Sequence, residues 1–466
     1  MLDEVQTRSE GLILHVDADA FFASVEQRQK PSTAAVPVIV CGLGPRGVVA
    51  TASYQARRFG VGSAMSTAMA MRRCPQGVFV APRMQAYREH SAAIMAVLTR
   101  FADVLEQVSI DEAYLRINVV DVPATQLVED VAAAVWQATG LRVSVGAGRS
   151  KLIAKLASTS AKPRGLRVVT GEHEQAFLDG LPVSSLPGVG PVGAARLTEL
   201  GIDTVAQLRV QPPRLLERLL GSAGGAAALA MSRGRDSRPV APSREAKSVS
   251  AERTMDYDVP ASQLVPVLEA VLTAAHIRLI AAALGARTVT VRLRDSRFAT
   301  VGRSVSLAQA STELGELRSA ALSALAAATE AMGLDAEEES GAGARLLGVS
   351  LAALSTSTQL ALLPGEVTVE SQPHPVVPHP ADGRTSTPVI GTRPGGHWFT
   401  GRDAEHTELG RGWVVRCVAA DDSLSGQAEL IVRFEEAHSR MARQRRFPLD
   451  DPHLTPAGPA PVQSME

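Results

Sequence analysis

Three acidic side chains in this sequence stand where apolar strands end. Asp17 closes GLILHVD (residues 11–17), which reads as a short buried strand, and FFASVEQRQ after it reads as a helix. Asp111 and Glu112 lie inside VLEQVSIDEAYLRI (104–117), which reads as two strands joined by a tight turn at those two acids. Charge taken out of water is costly unless it is paired or bound to metal. If the three acids meet at one sheet edge, they offer hard oxygens to magnesium, which takes one or two carboxylates plus waters and substrate phosphates. Two such ions ~3.5–4 Å apart stabilise the attacking and leaving oxygens of an in-line displacement. Each acid alone suits a solvated turn residue equally well, and Asp19 reads as a supporting or capping residue.

A second set of residues suits phosphate. In VATASYQARRFGV (49–61), Thr51, Tyr54 and Arg57 fall at i, i+3 and i+6, so on a helix they share one face. Arg57 offers a planar fork for phosphate oxygens and Tyr54 offers a hydroxyl, although by itself the stretch suits an ordinary amphipathic helix with a solvated arginine better. LPGVGPVGAARLTELGI (186–202) has the pattern of a helix-hairpin-helix. Gly188 and Gly190 would expose backbone N–H groups near a helix N-terminus. Such a contact reads no base sequence. RTVTVRLRDSRFATVGR (287–303) carries five arginines against one aspartate. Alternate residues of a strand share a face, so Arg292 and Arg294 point the same way and can follow a phosphate backbone.

The elements that must position these groups are mixed α/β. Helical periodicity marks 84–101, with Tyr87, Ile94, Leu98 and Phe101 on one face. A helix (125–138), a strand (141–147), a helix (151–159) and a strand (166–169) follow. With 31–83 treated as an insertion, 1–30 and 84–171 form a ferredoxin-like layer. Residues 172–235 are helical and glycine-punctuated, and 236–246 is a proline-containing basic linker. Residues 247–355 form a second α/β unit, with strands near 249–257, 286–294 and 345–354. Residues 364–394 hold seven prolines and little apolar periodicity, so 356–395 reads as a disordered tether. A small β-rich piece spans 396–449, and 450–466 reads as a disordered tail.

The chain has 466 residues, 45% hydrophobic and 20% charged, which excludes wholesale disorder. Its net charge of -1 argues mildly against a nucleic-acid partner, but phosphates meet local patches rather than averages. Cys41, Cys74 and Cys417 are scattered and lack CxxC spacing, which fits a reducing cytoplasm. The N-terminus does not read as a signal peptide, and no stretch approaches the ~20 apolar residues of a membrane span.

DADAFFASVE (17–26) and SIDEAYL (109–115) resemble the two acidic motifs of the Y-family DNA polymerases of the polymerase IV type, here of an actinobacterial kind. The resemblance runs from about 11 to 355. It implies a right-handed α+β polymerase: palm (1–30, 84–171), small fingers (31–83), helix-hairpin-helix thumb (172–235), and α/β little finger (247–355). It implies template-directed addition of deoxynucleotides to a primer 3′ end, translesion synthesis and no proofreading. By matching position, Asp17 and Asp111 bridge two Mg²⁺ ions, Glu112 is the third acidic ligand, and the Ala18 carbonyl is a further one. Phe22 matches the steric gate against a 2′-hydroxyl, whereas Phe21 reads as core. Thr51, Tyr54, Arg57 and Lys162 match the triphosphate contacts. A nucleotide cyclase shares the two-metal palm but needs no duplex grip. A non-catalytic DNA scaffold would not need Asp17, Asp111 and Glu112.

QLALL (359–363) resembles the peptide with which bacterial polymerases bind the β sliding clamp. Gln359, Leu360 and Leu362 match, and Leu363 replaces the frequent Phe. The piece around HTELGRGWVV (406–415) and ELIVRF (429–434) is similar to the Tudor-like tails of some bacterial repair helicases, which implies a protein partner. The expected protein is a cytoplasmic, nucleoid-associated monomer that binds primer-template DNA and deoxynucleoside triphosphates.

Overall fold

The computed structural model describes residues 11–118, 122–242, 246–334, 343–356, 398, 400–418, 428–434, 443–458 and 462. Its first sheet runs, in spatial order, Val104–Gln107, Glu112–Ile117, Leu12–Ala18, Val143–Gly148 and Leu166–Val168. The first four strands are antiparallel neighbours and the last pair is parallel. Strand alternation decides what each face carries. Leu14, Val16 and Ala18 enter a core with Ile94, Leu98, Val131 and Val135 from the helices Met84–Thr99 and Ala124–Thr139. His15 and Asp17 are therefore sent to the opposite face, paired across the ladder with Tyr114 and Glu112. The helix Lys151–Ala161 starts at Ser150, whose hydroxyl accepts from the Ile153 N–H, and it supplies that face with Lys155 and Ser158.

The segment after the helix Phe21–Gln29 leaves this sheet and builds a small one. Val38–Cys41 lies at its centre, antiparallel to Val49–Ala52 and parallel to Val78–Val80. Five helices between Glu174 and Met231 follow. The next sheet orders Thr300–Ser311, Gly285–Asp295, Ala344–Ser355 and Ser248–Val259, all antiparallel, with helices Leu264–Ala281 and Leu314–Met332 packed against it. A five-stranded sheet ends the described chain: Arg443–Pro448, Glu429–Phe434, Gly410–Val418, Asp403–His406 and Leu454–Pro456.

Several expectations change. The turn between the acidic strands occupies 108–111, and Glu112 is the first residue of its strand. Thr51 is not on a helix with Tyr54 and Arg57. Ser53 caps a one-turn helix Tyr54–Arg57 by accepting from the Ala56 N–H, so Thr51 is left on the preceding strand. The edge strand Thr300–Ser311 was not legible, because only Val301, Val305 and Leu307 interrupt a small polar sequence. Leu454–Pro456, inside the expected tail, pairs with Asp403–His406. Among the described residues one helical stretch, Ala261–Ala281, is long and apolar enough to cross a membrane, with mean hydropathy 1.7. Its Leu264, Leu268, Val271, Leu272, Ala275 and Leu279 form a buried stripe on the sheet, which marks a core helix.

Candidate active site

The three acids singled out by the sequence converge. Asp17 stands directly opposite Glu112 in the antiparallel ladder, which sets their Cα atoms ~4.5–5.5 Å apart. The Ala18 N–H donates to the Asp111 carbonyl at 2.9 Å, which fixes the turn against the strand end. The Ser109 hydroxyl donates to the Asp111 carboxylate.

Two of the three acids, Asp17 and Glu112, already have a cation. Lys162 Nζ lies 2.6 Å from Asp17, and Lys155 reaches Glu112. His15, fully buried, places Nε2 2.8 Å from Glu112 and Nδ1 2.6 Å from the Ser158 hydroxyl. Burial raises the Asp17 carboxyl, while Lys162 pulls it down. Burial also works to raise Glu112, but the His15 hydrogen bond and the Lys155 charge prevail and hold it at about 2. As an ionised carboxylate accepts only, His15 must present a proton on Nε2. His15 itself is lowered by burial, against the pull of Glu112.

Among the described residues no group of three or more His, Cys, Asp or Glu side chains is placed to hold a metal ion by itself. The donors are instead hard oxygens spread over a strand end and a turn, partly open, with lysines between them. That set fits a divalent cation such as magnesium, which leaves most positions to water and phosphate.

Beside the acids, the chain turns from strand to helix at Ala20, which holds φ 46°. Asp19, 3% exposed, does not cap that helix. It accepts from Tyr54 Oη at 3.1 Å, Ser144 Oγ at 3.0 Å and the Arg164 N–H at 2.7 Å. Burial and the Asp19 charge push the Tyr54 hydroxyl up to about 12, so it remains a donor. The Arg57 guanidinium lies 4.7 Å from the Tyr54 ring centroid, which holds these two groups together. Phe22 stacks on Tyr87 with centroids 4.2 Å apart and planes 9° from parallel. Phe21, 2% exposed, and Phe22, 7% exposed, both belong to the buried core, and it is Phe22 that lies face to face with Tyr87.

With this geometry in place, similarity to known proteins is informative. Residues 16–159 match the model of the impB/mucB/samB family and 246–362 match its C-terminal domain. A DNA polymerase IV from Streptomyces coelicolor is 39% identical over 98% of this chain and 92% of its own length. The chain belongs to the Y family of DNA polymerases, in its DNA polymerase IV branch. A second polymerase IV, from Corynebacterium diphtheriae, is 34% identical over 96% of this chain and 98% of its own. A third, from Halorhodospira halophila, is 41% identical over 73% and 95%. Among solved Y-family structures, a chimera of Dbh and Dpo4 matches with TM-score 0.64 and 27% identity, covering 74% of this chain and 99% of its own. An insertion ternary complex of Dbh DNA polymerase matches with TM-score 0.54 and 27% identity, covering 73% and 98%.

In this Y-family polymerase the residues expected to grip DNA lie on separate elements. Gly188 takes φ 87°, where a side chain is strained. Gly190 stands at the N-terminus of the helix Pro191–Thr198. A Cβ at either glycine would meet open space, so the backbone there can be approached. Arg292 and Arg294 share the outer face of the strand Gly285–Asp295, while Val291 and Leu293 are fully buried on the inner one. Arg292 stands between Gly302 and Gly348, and Thr290 between Ser304 and Ser350, so small residues flank Arg292, while Arg294 stands between Thr300 and Leu346. Gln359, Leu360, Leu362 and Leu363 lie outside the described residues.

Sequence reasoning missed His15, Lys155, Ser158 and Tyr87. Only His15 left a trace, as a polar residue inside an apolar strand two positions from Asp17. The others become partners through packing alone.

Proposed function

We propose that Asp17, Asp111 and Glu112, with the Ala18 carbonyl, hold two Mg²⁺ ions at a primer end. The chain is a DNA-directed DNA polymerase of the translesion class. The carrying observation is the Asp17–Glu112 ladder pair with Asp111 tied to Ala18. When bound, the ions supply Lewis acidity to the attacking 3′-oxygen and to the leaving pyrophosphate. The protein's share is to keep the carboxylates ionised and aimed. His15 and Lys155 do this for Glu112, and Lys162 does it for Asp17. Lys162 then exchanges the Asp17 carboxylate for triphosphate oxygens as substrate enters. Tyr54 and Arg57 take the β- and γ-phosphates, with Thr51 alongside from its strand. Phe22 lies under the sugar, where a 2′-hydroxyl has no room.

Gly188 and Gly190 hold a duplex phosphate through backbone N–H groups, and Arg292 and Arg294 follow the template-primer backbone from the little finger. QLALL supplies the sliding-clamp peptide, and the monomer works in the bacterial cytoplasm at the nucleoid. The absence of any pairing among Cys41, Cys74 and Cys417 suits that compartment.

Primer extension on undamaged and damaged templates with magnesium tests the reading. Extension by the native chain is expected, together with its loss in Asp111→Ala. Undiminished extension by Asp111→Ala would remove the proposed metal site.

A further inference from the structure

The C-terminal sheet does not stand apart from the polymerase. Only two chain crossings join fingers to palm, one leaving after Lys30 and one returning through Ala81–Arg83, and the sheet grips both. The Ala81 N–H donates to the Thr400 carbonyl at 3.1 Å. Gly401 is pressed on Val80, whose Cβ lies 2.8 Å from where a Cβ on that glycine would sit. Arg83 binds Asp403, and Lys30 Nζ lies 5.7 Å from the Trp413 ring centroid. Trp413, 2% exposed, packs in the palm core with Val38 and Val80, and is not part of the small core of its own module.

Charge makes this docking specific. Glu26, Lys30, Arg83 and Asp403 are each at most 9% exposed. Glu26 receives Lys30 and a two-nitrogen contact from Arg83, with Nη2 at 2.9 Å. One carboxylate thus faces two buried cations, and the second carboxylate is Asp403, from the module. Arg411, about one-third exposed, reaches the same carboxylate at 3.3 Å. Truncating one partner of such a buried set leaves a charge uncompensated.

The set continues to the sugar. Glu26 Oε1 accepts from the Tyr87 hydroxyl at 2.7 Å, and the fully buried Tyr87 ring is the surface on which Phe22 stacks. An unbroken series of buried side chains, Asp403, Arg83, Glu26, Tyr87 and Phe22, therefore joins the C-terminal module to the proposed gate. We propose that the module is a brace on the palm–fingers junction, with Asp403 and Trp413 as positioning residues for sugar selection. This rests on the reading of Phe22 as the gate. The resemblance gave the module a protein partner; the surface it meets here is the polymerase itself. When the module releases Arg83, Glu26 is left to two cations and re-aims, the Tyr87 hydroxyl loses the aligned carboxylate to which it donates, and the Phe22 ring gains freedom. A coupling of this kind has two observable ends.

The test uses the full chain with Asp403→Asn and Trp413→Ala, and Asp403→Glu as the conservative control. Two quantities are measured: the ratio of kcat/KM for deoxynucleotide over ribonucleotide, and hydrogen exchange over 21–37 and 80–90. Asp403→Asn is expected to lower the ratio by about 5–20-fold, to leave deoxynucleotide insertion nearly unchanged, and to lose amide protection in both segments. Asp403→Glu is expected to restore part of the ratio. In a Phe22→Ala background, Asp403→Asn is expected to change the ratio no further. If Phe22→Ala collapses discrimination while Asp403→Asn and Trp413→Ala leave it intact, the brace is refuted and the gate stands. If Phe22→Ala itself has no effect, the gate reading fails instead. Unchanged exchange in both variants would show that the module does not hold the junction.

Discussion

Two groups of opposite charges flank the same strand-and-helix segment, Leu12–Gln29, and they are built to different ends. At the strand end, Asp17 and Glu112 face Lys162 and Lys155, whose side chains keep 30% and 36% of their surface in water. Nine residues along from Asp17, Glu26 meets Lys30, Arg83 and Asp403 with almost no water at all. The first group sits where partners can be exchanged: a half-open ion pair is weak, so an incoming cation or phosphate can replace a lysine at little cost. The second is sealed, and removing one member leaves a bare charge in a dry site. The same residue types serve turnover in one place and rigidity in the other, and burial separates the two.

Substitutions can break or sharpen that contrast. The largest expected effect is on catalysis at the open group. Asp17→Asn is expected to slow single-nucleotide insertion by about 10⁴-fold while leaving the thermal melting curve close to native. A comparable loss of stability would erase the distinction. At the sealed group the expectation reverses. Glu26→Gln is expected to cost about 3–5 kcal/mol of stability, read by urea unfolding. A loss below about 1 kcal/mol, the scale of a surface pair, would show that the site is wetter than its geometry.

Acid provides a milder probe. Burial works to raise Glu26, but Arg83 and Lys30 overcome it and hold the carboxyl at about 2 against an ordinary 4.5. A depressed carboxyl stabilises the fold fully above its ordinary value and less as pH falls toward the native one. Native protein is therefore expected to lose stability between pH 4.5 and about 2, with that component absent in Glu26→Gln. Equal acid sensitivity in both would count against the sealed network. The smallest effect belongs to a third class of charge, on the outer face of a sheet. Arg292→Ala with Arg294→Ala is expected to reduce the log–log salt slope of DNA binding by about 2. An unchanged slope would take these arginines off the DNA path.

Much of the site was legible because strand periodicity and motif order are local properties. Asp17 at an apolar strand end, and Asp111 beside Glu112 at another, place three acids at sheet edges from the sequence alone. The misplacement of Thr51 shows the limit. A spacing of i, i+3, i+6 is necessary for a shared helical face but does not say that the segment is helical, and Ser53 starts the helix two residues too late. The missed strand Thr300–Ser311 failed for a related reason, since an edge strand with one small polar face leaves little alternation to read.

What the sequence determined by itself was the catalytic signature: which acids, at which strand ends, in which family of enzymes. Alternation and motif spacing are written in neighbouring residues, so no packing is needed to read them. What only the tertiary structure decided was the company those residues keep. Lys155 and Lys162 against the acids, Tyr87 behind Phe22, and Asp403 beside Arg83 across 320 positions are pairings between distant segments. No local pattern encodes them, because each partner is an ordinary charged or aromatic residue until folding removes the water between the two.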